Sequence, residues 1–205
     1  AKPCVMIVDD GAIHRQVLSA LLSDEFDVVE VDDGNRALVM AVNRQPDLIL
    51  LDMVLKGTSG ETVLRSIKEH GLTRNIAVMI ISSKDALQDE EQGLAWGACD
   101  YIIKPFSPDK LVLRLDRIMA KKEFFKEYYQ EKRKKEYAAA LAILEAQRNS
   151  EAGRPYRFEI LRQRAEVLLN SGDSEGAEQA YRGILENYEF PWARAGVARS
   201  LHRQN

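Results

Sequence analysis

The run Leu48-Ile49-Leu50-Leu51 is apolar without a break and stops abruptly at Asp52. Four apolar residues with no polar alternation are too short for a stable helix, and fit a strand buried on both faces. The run has counterparts along the first half of the chain. Val5-Met6-Ile7-Val8 ends at Asp9-Asp10, residues 28–31 form a second strand, 76–81 end at Ser82, and Tyr101-Ile102-Ile103 closes at Lys104-Pro105. Helical spacing lies between them: apolar residues at 13, 17, 18, 21 and 22, a continuation over 37–42, Val63, Leu64 and Ile67, a segment over 87–96 stopped by Gly97, and a fifth helix starting near Pro108 with Leu111, Leu115 and Ile118.

Five strands alternating with five helices predict a doubly wound α/β domain with a parallel sheet covered on both faces. Right-handed crossovers bring the C-terminal ends of all strands to one edge, where open α/β sheets bind ligands. Asp9, Asp10, Asp52, Ser82 and Lys104 all fall at those ends. Two carboxylates about 4 Å apart repel by roughly 4 kcal/mol at an effective dielectric of 20, about three pKa units. Such a cluster takes up protons unless a cation neutralises it. All-oxygen donors suit a hard ion, with Mg²⁺ the best fit and Mn²⁺ the alternative. Lys104 adds a positive point charge and Ser82 a hydroxyl, so the set reads as a site that receives a phosphoryl group by in-line attack of one carboxylate.

The pattern resembles the receiver domain of two-component response regulators. The resemblance rests on Asp9-Asp10, Leu51-Asp52-Met53 with Gly57 and Gly60, Ser82, Gly97-Ala98-Cys99-Asp100-Tyr101 and Lys104-Pro105-Phe106, in order, over residues 1–120. It implies a flavodoxin-like five-stranded fold in which Asp52 accepts a phosphoryl group from a histidine kinase or phosphotransfer protein. Asp10 would bind Mg²⁺ directly, Asp9 mostly through water, and the backbone carbonyl of Val54 would complete the protein ligands beside Asp52. Lys104 would pair with the phosphate. Ser82 would swing toward it and let Tyr101 rotate inward, changing the face made by the 87–96 helix, the Tyr101 strand and the helix after Pro108. The bond before Pro105 would be cis. Val54 and Lys84 stand where such domains tune access of hydrolytic water, and the apolar Val54 implies slow self-dephosphorylation. The protein would then be a phosphoacceptor rather than an enzyme, acting at most on small phosphodonors. Two positions depart from the pattern: Lys56 replaces a proline and Gly11 a polar residue.

After residue 120 the pattern changes. Residues 121–136 hold seven Lys/Arg and four Glu, with Phe124, Phe125, Tyr128 and Tyr129 among them. They read as a charged helical linker extending the last helix of the first domain, its aromatic pairs packing on a neighbour or forming a dimer seam. Helical segments follow near 137–147, 156–170, 174–187 and 192–202, with a turn at Gly172-Asp173. Leu161, Ala165, Leu168, Gly172, Ala177, Tyr181 and Ile184-Leu185 resemble a tetratricopeptide repeat, with Tyr137, Ala140 and Leu144 before it and Pro191, Trp192 and Ala195-Gly196 after. Residues 137–205 are thus expected to form an all-α helical-repeat domain that binds an unidentified protein, as a truncated array. The chain starts at Ala1 and stops at Asn205 within a helical pattern, so it also reads as a fragment of a larger regulator whose output domain is missing.

A net charge of -3 gives no global attraction to nucleic acid or anionic membrane, although the basic linker leaves a nucleic-acid-binding regulator as the rival reading. No apolar run approaches the ~20 residues of a membrane span, and no secretion signal appears. A cytoplasmic location is therefore expected, with Cys4 and Cys99 packed as small apolar residues and His14, His70 and His202 as solitary surface groups. A homodimer is compatible with all of this.

Overall fold

The structure, a computed structural model, describes residues 2–83 and 96–204. Lys84 and almost all of the helix expected over 87–96 lie outside the described residues. The chain divides into two compact units, Ala1–Ile118 and Met119–Asn205.

The first unit contains β1 (Cys4–Val8), α1 (Ala12–Leu22), β2 (Asp27–Val31), α2 (Gly34–Arg44), β3 (Leu48–Asp52), α3 (Gly60–Glu69), β4 (Ala77–Ser83), β5 (Asp100–Lys104) and the start of α4 (Pro108–Phe124). The strands form one parallel sheet in the order β2-β1-β3-β4-β5. β1 lies between β2 and β3, so the chain leaves it toward opposite sides. The crevice at the C-terminal ends of β1 and β3 is therefore the topological switch point.

Every residue of β3 is buried, as its uninterrupted apolar run requires. Strand alternation splits the core in two. Met6, Val8, Ile49, Leu51, Val78 and Ile80 pack with Ala37 and Ala41 of α2 and Val63, Leu64 and Ile67 of α3. The intervening Val5, Ile7, Leu48, Leu50, Met79 and Ile81 are at most 1% exposed and stay outside that cluster, as do Leu18 and Leu22 of α1 and Leu111 and Leu115 of α4. Each such side chain contributes about 1.5–3 kcal/mol on burial, which offsets the cost of holding charged groups at the strand ends. Ser59 starts α3 by accepting a hydrogen bond from the Thr62 N–H at 3.1 Å, and so fixes where the chain after Asp52 turns back over the sheet. Cys4 is half-buried against the core, but Cys99 is exposed rather than packed. It stands just after Gly97, whose φ of +100° turns the chain at the surface before β5 begins.

The second unit is helical throughout its described residues: the end of α4, then α5 (Lys126–Lys134), α6 (Tyr137–Arg148), a 3-10 turn (Glu151–Tyr156), α7 (Arg157–Ser171), α8 (Ser174–Leu185) and α9 (Pro191–Gln204). The last four helices fall where helical spacing predicts them. Residues 121–134 are helical apart from one break, and their aromatic residues pack on neighbouring helices, as the aromatic pairs suggested, rather than standing in solvent. The helix breaks at Phe125, α5 ends at Lys135 with φ 62°, and Phe125 and Tyr128 are fully buried with Ala140, Leu144, Ile160 and Val167. Aromatic residues at 125 and 128 share one helical face, and that face decides burial despite the charges around it. At the other end, Gly172 adopts φ +95° and ends α7, while Ala177, Tyr181 and Ile184 of α8 pack with Ala193 of α9.

Two glycines give opposite expectations. A Cβ at Gly60 would lie 2.5 Å from both the Asp52 carbonyl oxygen and the Met53 Cα, which are backbone atoms that cannot step aside. Gly60→Ala should destabilise the protein by about 1–3 kcal/mol in urea denaturation. A Cβ at Gly183, inside α8, meets nothing within 4 Å, so Gly183→Ala should stabilise by about 0.5–1 kcal/mol.

Candidate functional site

Buried strands carry Asp9 and Asp52 to the switch point. β1 ends at Val8 and β3 at Asp52, so the two carboxylates leave neighbouring strands on the same edge. Asp9 is 2% exposed and Asp52 7%. Asp52 Oδ1 accepts a hydrogen bond from the Val54 N–H at 2.9 Å, which folds the chain back over the strand end. Its Oδ2 accepts from Lys104 Nζ at 2.6 Å, and the same ammonium reaches Asp9 Oδ2 at 3.4 Å. Lys104 reaches both because it is the last residue of β5, two strands away from β3 on the same edge. The Lys104–Pro105 peptide bond is cis.

The other residues take distinct places. Asp9 Oδ1 accepts from the Gly11 N–H at 2.7 Å, and the Arg15 guanidinium donates to the Asp9 carbonyl at 2.6 Å. Asp10 is half-buried and accepts from the Lys56 N–H at 3.1 Å, so Lys56 joins the site through its backbone. Ser82, beside the end of β3, is 1% exposed and its hydroxyl is aimed at the Ser83 carbonyl at 3.5 Å. Tyr101 is half-buried near the start of β5, packs against the α2–α3 side of the core and has the Arg114 guanidinium 6.0 Å from its ring centre. Val54 is 66% exposed.

His14 is exposed, as expected, but its nearness to the cleft was not foreseen. It stands in the first turn of α1, with Nδ1 3.7 Å from Asp9 Oδ2, and is one of three residues, with Asp9 and Asp52, whose ligand atoms all lie within 4.8 Å of one another. The signal was its position in the helix that opens right after Asp9-Asp10, a rim position at the switch point. Solitary spacing hid it.

Burial pushes the Asp52 carboxyl above the usual aspartate range, and the charge of Asp9 pushes the same way. The hydrogen bonds from Lys104 and the Val54 N–H pull it back only in part. The cleft thus holds more negative charge than Lys104 offsets. It is chemically suited to a divalent cation on Asp9 and Asp52, and to an anion brought in beside Lys104.

Residues 5–116, more than half of the chain, match the family described as Response regulator receiver domain. The phosphate regulon transcriptional regulatory protein PhoB of Pseudomonas aeruginosa is 40% identical over 116 residues, which cover 56% of this chain and 51% of that protein. The response regulator PleD of Caulobacter vibrioides is 38% identical over 112 residues, covering 54% of this chain and 25% of PleD. The chain spans about half the length or less of these curated relatives. Among solved structures, the chemotaxis protein CheY4 of Vibrio cholerae matches with a TM-score of 0.55 at 26% identity, covering 58% of this chain and 99% of that one. The receiver domain of the sensor histidine kinase PA1611 from Pseudomonas aeruginosa, which has a magnesium ion coordinated in its active site cleft, matches with a TM-score of 0.53 at 28% identity over 57% of this chain and 97% of that one.

A raised Asp52 pKa means that the folded protein holds this proton more tightly than the unfolded chain does. The resulting stabilisation is fully present below the unfolded aspartate value of about 3.9 and is lost as pH rises through the folded value. In chelator, Asp52→Asn should therefore melt a few degrees above wild type at neutral pH, with the gap closing toward pH ~4. Thermal melts by circular dichroism at the two pH values check this.

Proposed function

Since the chain belongs to the response regulator receiver family through residues 5–116, we propose that it is a phosphorylation switch in which Asp52 takes a phosphoryl group from the phosphohistidine of a histidine kinase or phosphotransfer protein. The observation that carries this reading is the buried Asp52 carboxylate held between the Val54 N–H and Lys104 Nζ, with Asp9 beside it. In the transfer, a carboxylate oxygen of Asp52 forms a bond to phosphorus. The phosphorus–nitrogen bond of the donor breaks, and its electron pair leaves with the imidazole, which takes up a proton. Lys104, freed from a carboxylate that has become an acyl phosphate, pairs with the phosphoryl oxygens.

The donor set fits Mg²⁺: Asp9 and Asp52 offer hard carboxylate oxygens close together, and Asp10, now accepting from the Lys56 N–H, and the Val54 carbonyl would join them. When bound, the ion supplies charge neutralisation for the phosphoryl oxygens. Ser82 is buried on the adjacent strand, where its hydroxyl has only to leave the Ser83 carbonyl to meet the phosphoryl group. Tyr101 follows inward and alters the surface around β5. The exposed, apolar Val54 gives hydrolytic water no hydrogen bond, so the acyl phosphate persists.

The second unit would carry the output. Its α8–α9 pairing, with Gly172 at the turn and small residues Ala177, Ala193 and Gly196 where helices approach, supports a tetratricopeptide-like surface for another protein. Direct nucleic-acid binding by residues 121–136 is disfavoured, because Lys121, Lys126, Lys132 and Lys134 lie in ion pairs with Glu159, Glu123, Glu166 and Glu131.

Incubation with acetyl phosphate and Mg²⁺, followed by intact mass spectrometry, should give one phosphoryl adduct that survives for minutes or longer and is absent from Asp52→Asn. An adduct retained by that variant would sink the assignment, and a half-life of seconds would sink the role given to Val54.

A further inference from the structure

His14 and Gly11, the one exposed histidine and the one departure from the polar pattern on the β1 side of the cleft, form a single feature. His14 is 62% exposed on its side chain, yet its Nδ1 stands 3.7 Å from Asp9 Oδ2. A Cβ at position 11 would lie 3.1 Å from this nitrogen and 3.1 Å from Asp9 Oδ1, so a side chain there would crowd the imidazole against the carboxylate. Glycine leaves the approach open.

We propose that His14 adds a nitrogen donor to the Asp9–Asp52 pair and makes the cleft a site for imidazole-seeking divalent metals of the Ni²⁺ and Zn²⁺ class, beyond the Mg²⁺ that phosphoryl transfer uses. The inference rests on the phosphoacceptor reading for the identity of the competing ion. One atom from each of Asp9, His14 and Asp52 lies within 4.8 Å of the others. Metal–ligand bonds of about 2.0–2.2 Å place neighbouring donors roughly 3 Å apart and opposite donors roughly 4 Å apart. A small rotation of the exposed imidazole therefore completes a three-residue set, with water filling the remaining positions. Mg²⁺ prefers oxygen ligands and its own water, whereas Ni²⁺, Cu²⁺ and Zn²⁺ gain strongly from imidazole. His14 thus tilts the cleft toward the second class. Because the carboxylates are shared, such an ion competes with Mg²⁺ for the same place.

Isothermal titration of the full chain with NiCl₂, and separately with MgCl₂, tests this on wild type, His14→Ala and Asp52→Asn at neutral pH. The ratio of Ni²⁺ to Mg²⁺ affinity should fall about tenfold or more in His14→Ala, and Ni²⁺ should bind more weakly in Asp52→Asn. An unchanged ratio in His14→Ala makes His14 a surface histidine only and overturns the proposal. So does Ni²⁺ binding indifferent to Asp52→Asn, which puts the ion at His70, His202 or a cysteine. Loss of Mg²⁺ and Ni²⁺ affinity in equal measure in His14→Ala also overturns it, since the imidazole then acts through the orientation of Asp9. Mg²⁺ binding indifferent to Asp52→Asn would count against the phosphoacceptor reading instead, whatever the Ni²⁺ result.

Discussion

The first unit depends on a conflict between burial and charge at one edge of its sheet. β1 and β3 are neighbours because their apolar residues fill both layers of the core, and that adjacency forces the carboxylates at their ends together in a place where water is scarce. Nothing in the hydrophobic packing relieves this. The relief comes from Lys104 on a strand two positions away, which spans Asp52 and Asp9 with one ammonium. Burial is the main cause of the upward push on the Asp52 carboxyl, and the neighbouring charge of Asp9, which one ammonium does not fully offset, adds to it. Partly compensated carboxylates in a buried place are chemically suited to a divalent cation.

Most of this was legible in the sequence for a physical reason. Strands buried on both faces must be apolar throughout, so their ends are marked sharply by the first polar residue, and Asp9, Asp52 and Lys104 are those residues or stand next to them. The parallel order then follows from the alternation with helices. Side-chain direction at the strand ends was not legible. Asp10 follows Asp9 directly and carries the same chemistry, yet its carboxylate is held by the Lys56 N–H, a contact made across 46 positions of sequence. Ser82 likewise reaches the right strand end while its hydroxyl stays with its own strand. Orientation at this level is decided by loop hydrogen bonds, which leave no periodic trace.

The place of His14 and the packing of residues 121–136 were only partly legible. A solitary histidine leaves no spacing signal, so its approach to Asp9 at the start of α1 shows only in the fold. Seven basic residues among sixteen suggested a charged linker and the aromatic pairs suggested packing on a neighbour, and the structure buries Phe125 and Tyr128. The energies favour the aromatic rings. Burying two of them is worth several times the ~0–1 kcal/mol of an exposed ion pair, so charges arrange themselves around the buried face.

How those charges arrange themselves separates the two units. In the second unit Tyr128, fully buried, donates its hydroxyl to Gln163 Oε1 at 2.7 Å, the same oxygen accepts from Lys132 at 3.0 Å, and the Gln163 amide donates to Glu159 at 2.7 Å. Glu159 in turn meets Lys121 at 3.0 Å, and Lys132 meets Glu166 at 3.9 Å. Basic residues of one segment are thereby spent on acceptors of α7, and burial raises the phenols of Tyr128 and Tyr129, the latter to about 12. A polar network closed in this way fixes which helices pair, because any other pairing would strand its members without partners. The strand-end cleft of the first unit is the opposite case. Its carboxylates are brought together with only Lys104 and a few backbone N–H groups between them, so the set is not closed on itself. Closed networks specify structure, and open ones leave a free-energy difference for an ion or a phosphoryl group to exploit. Asp52 belongs to the second kind because its strand had no other place to end.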